Sequence, residues 1–357
     1  MRVLFDDRPG SACATGIGRY ARTLAELLGA TLGAHLILRA SSVLDSRSPE
    51  EDELELPAVL EREAIDLFHS PLPWLPALLG PASAVVTLHD AIPAVRPDLT
   101  DPRFVPVFAS ARDAVERASA VVVPSAHAQR EIAAALDLDM ARLHVVPETP
   151  AQVFGPRLHT AVAAARRRHG LDDAPYLLSL GSLEPRKNPA LILDALAHDP
   201  TLPSVVFVGP AASFDLPAEA ARRGVHGRVK ALGLVPDEDL ACLLASAAAL
   251  LFPSRHEGFG LPVVEAFATG TPVVASNAAS IPEVAGDAAL LVDPDDPTGF
   301  ACAVRRVLDE PSLAEDMKRR GAARLALHFS EDAVRRALLE VYDRVFARSA
   351  ALTGGGG

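Results

Sequence analysis

The sequence predicts an α/β protein of two Rossmann-like domains, each built on a parallel sheet. Short apolar runs bounded by turn residues alternate with helical patterns, the signature of βαβ units. The alternation occurs twice along the chain. The 357 residues, 49% of them apolar, are enough for two cores by the usual relation of length to domain number. Two domains imply a cleft.

In the first half, strands are expected at Val3 to Asp6, His35 to Arg39, Leu67 to His69, Ala84 to His89, Ala120 to Pro124 and Leu143 to Val146, with helices such as Gly18 to Leu28 between them. In the second half they are expected at Tyr176 to Leu180, Val205 to Val208, Val229 to Leu232, Leu250 to Pro253, Pro272 to Ala275 and Ala289 to Val292. The stretch from Pro147 to Pro175, with Pro150, Gly155 and Pro156, reads as the linker, and its run Arg166-Arg167-Arg168 as a solvated face. The expected domains are therefore residues 1–155 and 170–330. A helix at about 331–349 is expected to pack back on the first, and residues 350–357, ending in four glycines, to form a disordered tail.

A net charge of −12 argues against a general nucleic-acid-binding role. Cys13, Cys242 and Cys302 are widely spaced and odd in number, which suggests neither a disulfide framework nor a zinc site. With a strand at the outset and no run of 18 apolar residues, a soluble, cytoplasmic protein is expected.

The densest chemical signal lies in Leu250 to Ala275, which reads strand, loop, helix, strand. Gly258 and Gly260 let the backbone turn and approach a ligand, and Pro262 suits a first helical turn whose N–H groups attract phosphate. Glu257 falls in the loop and Glu265 on the first turns of the helix, where carboxylates suit vicinal hydroxyls. Their spacing alone proves little, since Glu53 with Glu61 and Glu55 with Glu63 share it. The frame of glycines, proline and strands singles out the later pair. Gly181-Ser182-Leu183-Glu184-Pro185-Arg186-Lys187-Asn188 brings two adjacent cations to the end of a strand. Cations at a helix start oppose the helix dipole, which favours a functional reason for them. In the first half, Thr15-Gly16-Ile17-Gly18-Arg19-Tyr20 also fits a dinucleotide pattern. The glycines lie several residues beyond the first strand and no acid follows the strand ending at Arg39, so a nicotinamide site is rejected. His89 falls at a strand's carboxyl end.

His256-Glu257-Gly258-Phe259-Gly260-Leu261-Pro262-Val263-Val264-Glu265-Ala266 resembles the two-glutamate motif of the family 4 retaining glycosyltransferases with the GT-B fold. Residues 181–188 resemble that family's loop holding the donor diphosphate, residues 15–20 its glycine-rich loop, His89 its histidine beside the donor sugar, and Val123-Pro124-Ser125 with Arg130 an element near the phosphates. One departure is Pro147-Glu148-Thr149-Pro150, where the family often has an Asn-Gly-Val-Asp run. The resemblance implies a donor domain at 170–330 and an acceptor-side domain at 1–155. His89, Arg186, Lys187 and Glu257 are its catalytic candidates. Gly16, Gly18, Ser125, Gly181, Gly258, Phe259, Gly260, Leu261 and Glu265 are its donor-binding candidates. It further implies retention of anomeric configuration, with the leaving phosphate taking the acceptor's proton, and Glu257 orienting the sugar, Glu265 the ribose and His89 the outer sugar hydroxyls.

No metal or other cofactor is expected; acidic pairs such as Asp137 with Asp139, Asp237 with Asp239 and Asp293 with Asp295 lie away from this frame. Asp7-Arg8-Pro9 before the glycine loop looks like bacterial polysaccharide-building mannosyl- and rhamnosyltransferases, which makes GDP-mannose the first donor to consider. The acceptor is expected to be a glycan, a lipid-linked molecule or a small molecule. A packed loop is expected at Pro71 to Gly80, and the Arg103 to Arg117 helix, with Arg112 and Arg117, is a candidate for peripheral contact with the inner face of a membrane. A sugar-nucleotide epimerase or hydrolase on the same fold, and a non-catalytic nucleotide-sugar binding module, are the alternatives.

Overall fold

The computed structural model describes residues 1–12, 16–29, 31–32, 35–44 and 49–354. Two compact units emerge, one formed by Met1–Thr149 with Ser330–Gly357 and the other by Pro150–Phe329.

The strands are β1 (Arg2–Phe5), β2 (Thr31–Leu32), β3 (His35–Arg39), β4 (Leu67–Ser70), β5 (Ser83–Thr87), β6 (Ala120–Val123) and β7 (Leu143–Val145) in the first unit. The second holds β8 (Tyr176–Leu180), β9 (Ser204–Val208), β10 (Val229–Ala231), β11 (Ala249–Phe252), β12 (Val273–Ser276) and β13 (Ala289–Val292). All twelve expected strands form, with ends shifted by a residue or two. The addition is β2, two residues antiparallel to β3, too short to leave a periodic signal. Every other pairing is parallel.

Strand order runs β2-β3-β1-β4-β5-β6-β7 in one sheet and β10-β9-β8-β11-β12-β13 in the other. In the second, the chain winds outward from β8 to β10, then returns to lay β11 against the other edge of β8. This reversal is a topological switch point, where loops leaving the two strands diverge and open a ligand crevice.

Both faces of each sheet are covered, so the strands read as continuous apolar runs. In the first sheet Leu4, Phe68, Val86 and Val121 join one core, while Val3, Phe5, Leu67 and Val85 join the other. The second core also takes Val334, Leu338, Val341, Tyr342 and Val345 from the helix Glu331–Gly354. That helix covers residues 350–354, where a disordered tail was expected; residues 355–357 lie outside the described residues.

The stretch expected as the linker holds the helix His159–Arg168, which belongs to the second unit. Its basic run is only partly a solvated face, since Arg166 donates to the Asp172 and Ala174 carbonyls and stacks on Tyr176, and Arg168 pairs with Asp239. The acidic stretch around Glu53 to Glu63 falls mostly within the helix Pro49–Arg62, which buries Leu56, Val59 and Leu60.

Candidate active site

The loop after β8 supplies the cations. Gly181 leaves the strand at φ 140°, and a Cβ there would stand 3.2 Å from the Lys187 side chain, so its absence gives that side chain room. A single 3₁₀ turn, Pro185–Lys187, follows, and Asn188 closes it at φ 56° before the helix Pro189–His198. The Asn188 amide donates to the Pro253 and Pro294 carbonyls at 3.3 and 2.8 Å, and the Arg255 N–H donates to the Arg186 carbonyl at 2.8 Å. The loops after β8 and β11 are thereby tied together at the switch point.

Glu257 sits between the cations. One carboxylate oxygen accepts from Arg186 Nη1 at 2.8 Å, the other from Lys187 Nζ at 2.6 Å. Arg186 also donates to the His256 carbonyl and to Glu184. The three side chains are 10–19% exposed, too buried for water to screen the charges fully. Burial opposes ionisation of Glu257, yet Lys187 and Arg186 outweigh it and hold the carboxyl at about 2. Lys187 is pushed below the ordinary lysine value by burial and, secondarily, by Arg186, with Glu257 pulling the other way.

Beyond Glu257 the chain turns through Gly258 and Phe259 into the helix Leu261–Thr269, which opens at Gly260 with φ 121° and has Pro262 in its first turn. Phe259 and Leu261 are buried in the unit's core, Phe259 with its ring edge-on to Phe329. Glu265 lies on the second turn and is fully buried. Ser280, which the sequence did not single out, donates to the Glu257 or Phe259 carbonyl, at 2.8 and 2.6 Å. A lone serine 23 residues downstream carries no local signal of such a contact.

The first-unit candidates are dispersed. The glycine-rich loop is not a loop at Gly16 and Gly18: the helix Gly16–Leu28 begins at the first glycine, exposing Gly16 and burying Gly18. Thr15 lies outside the described residues. Ser125 caps the helix Ala126–Leu136, its hydroxyl accepting from the Ala128 N–H at 3.0 Å. Trp74 packs on the core, and Arg117, a candidate for anionic surfaces, instead donates to the Leu75, Pro76 and Ala77 carbonyls.

His89 follows β5 and is 14% exposed, with Nδ1 3.3 Å from a Glu148 carboxylate oxygen and Nε2 3.2 Å from the Pro71 carbonyl. Tyr20 stands edge-on to its ring at 4.8 Å. The Tyr20 hydroxyl meets Thr87 Oγ1, which meets His69 Nε2, and His69 Nδ1 meets the Tyr342 hydroxyl.

Residues 47–148 match the family model "Glycosyltransferase Family 4" and residues 162–324 match "Glycosyl transferases group 1". The chain belongs to these glycosyltransferases. This glycosyltransferase is 28% identical to the O-antigen chain mannosyltransferase B of Escherichia coli over 90% of its own length and 94% of that protein. It is 35% identical to a D-inositol 3-phosphate glycosyltransferase of Nocardioides over 65% of its length, spanning 55% of that relative. Its fold is that of the GT-B enzymes. A sucrose-phosphate synthase of Thermosynechococcus elongatus superposes with a TM-score of 0.74 at 21% identity, covering 98% of this chain and 100% of that one. The Anabaena HepE protein in complex with UDP-glucose superposes with 0.73 at 20%, covering 96% and 100%.

Proposed function

We propose that this glycosyltransferase moves a sugar from a nucleoside-diphosphate donor, GDP-mannose first, to a hydroxyl of a glycan, lipid-linked or small-molecule acceptor, with retention and without a metal. The observation that carries the reading is the trio Arg186, Lys187 and Glu257 at the switch point of the second sheet, beside the start of the helix Leu261–Thr269. Departure of a nucleoside diphosphate builds negative charge on phosphate oxygens, and fixed cations with the positive end of a helix stabilise it. Lys187 carries three N–H donors, of which Glu257 takes one. Glu257 acts first by holding the two cations in register, a tighter assignment than sugar contact alone. Glu265 serves the ribose hydroxyls and His89 the sugar's outer hydroxyls. With no protein nucleophile needed, the acceptor hydroxyl enters on the face the phosphate leaves, and the phosphate takes its proton.

The mannosyl donor is supported by the relative of Escherichia coli named for mannosyl transfer, and the uridine alternative by the Anabaena complex with UDP-glucose. A panel of GDP-, UDP-, ADP- and dTDP-sugars tests the reading through thermal stabilisation. GDP-mannose is expected to raise the melting temperature most, and to be consumed with formation of an α-mannoside when acceptor is added in chelator. No shift with any member, free diphosphates included, would sink the donor site.

A further inference from the structure

We infer that Glu148 is a positioning residue that keeps His89 doubly protonated, so that the ring faces its substrate as a cation and offers no nitrogen lone pair. The inference rests on the reading that His89 serves substrate recognition, and it deepens that reading.

Both ring nitrogens face oxygens. A backbone carbonyl only accepts, so the contact from Nε2 to Pro71 at 3.2 Å requires a proton on Nε2. An ionised carboxylate also only accepts, so the contact from Nδ1 to Glu148 at 3.3 Å requires one on Nδ1. A neutral imidazole has a single N–H and would leave one contact repulsive in a site where both side chains are 9–14% exposed. The imidazolium satisfies both. Among the described residues its other charged or titratable neighbours include Asp90, next in sequence, Tyr20, which presents its ring from the helix Gly16–Leu28, and His69 on β4. Burial opposes charge on His89, but Glu148 and the Pro71 carbonyl prevail and raise its pKa, with Asp90 adding to the effect.

His69 is the internal contrast. Its nitrogens meet the Tyr342 and Thr87 hydroxyls, which either donate or accept, so nothing demands a second proton. Burial, and secondarily the His89 charge, push it down to about 3. Histidines at the ends of adjacent strands are thus set in opposite states by the oxygens around them. With both N–H groups given to Glu148 and Pro71, His89 attracts the lone pairs of a sugar's oxygens through its positive charge rather than through a free N–H.

Side-chain ¹⁵N spectra of histidine-labelled protein, recorded without donor across pH 5 to 10 and assigned with His89→Gln, test the charge directly. Both His89 nitrogens are expected to carry protons at pH 7 and to titrate above the ordinary value of 6.5. In Glu148→Gln the midpoint should fall. The alkaline limb of kcat/KM should move to lower pH in the same variant. An unprotonated His89 nitrogen at pH 7, including the case in which the proton stays on Glu148, would overturn the inference, as would a midpoint or limb unmoved by Glu148→Gln. The spectra need no nucleotide, so failure of the donor panel and failure of this inference are separately visible.

Discussion

Lys187 is the side chain on which the proposed chemistry depends most. Its ammonium lies 2.6 Å from Glu257 and 5.4 Å from the centre of the Phe252 ring, so its position is fixed before any ligand arrives. Lys187→Ala is expected to lower kcat by about 10²- to 10³-fold, the usual cost of removing one preorganised donor, while Arg186 keeps Glu257 paired and the urea midpoint moves little. Equal turnover in the purified variant would remove Lys187 from the mechanism. Glu257 gives a pH signature. Its carboxyl is held at about 2 against an ordinary 4.5, so its contribution to stability is fully present above 4.5 and is lost as pH falls through about 2. Urea titrations between pH 5 and 2 should show a shallower acid loss for Glu257→Gln than for the parent, and parallel curves would contradict the pairing. These residues were legible because glycine, proline and charges cluster within each of the two loops that carry them. Glu148 was visible only as a departure from a pattern, since its partner lies 59 residues away.

At the scale of elements, the strands were legible from apolar runs, which both-face burial makes dense and easy to bound. What sequence reading misplaced were starts and caps. The helix expected from Gly18 begins two residues earlier, at Gly16, although glycine is a poor helix former, and Tyr20, Leu24 and Leu28, spaced four apart on one face, carry it into the core. The contact between the loops after β9 and β8 was also invisible. Gly209, at φ 144°, approaches so closely that a Cβ would lie 2.1 Å from the Gly181 carbonyl oxygen. The loop carrying Lys187 would have to shift to admit it. Gly209→Ala is expected to destabilise by about 1–3 kcal/mol and to weaken nucleotide binding. Chemical denaturation and donor titration would check the pair, and an unchanged midpoint would contradict the close approach.

At the scale of the whole molecule, the chain leaves its first unit at Thr149 and returns to it at Ser330. The returning helix is not an appendage. Val334, Leu338 and Val341 are buried against the face that presents Val3, Phe5 and Leu67, and the Tyr342 hydroxyl partners the buried His69 ring, 273 residues away in sequence. Removing residues 330–357 would uncover that apolar face and strip His69 of one hydrogen-bond partner, each costly in a domain of marginal stability. The second unit is continuous from Pro150 to Phe329 and keeps its own two cores and the Arg186, Lys187 and Glu257 trio. A chain ending at Phe329 should therefore lose or sharply lower one thermal transition while retaining another that a nucleoside diphosphate still raises. Calorimetry with and without nucleotide separates the two. Complete loss of both transitions would mean that the second unit depends on the first for its fold; two unchanged transitions would mean that the returning helix contributes nothing to the first.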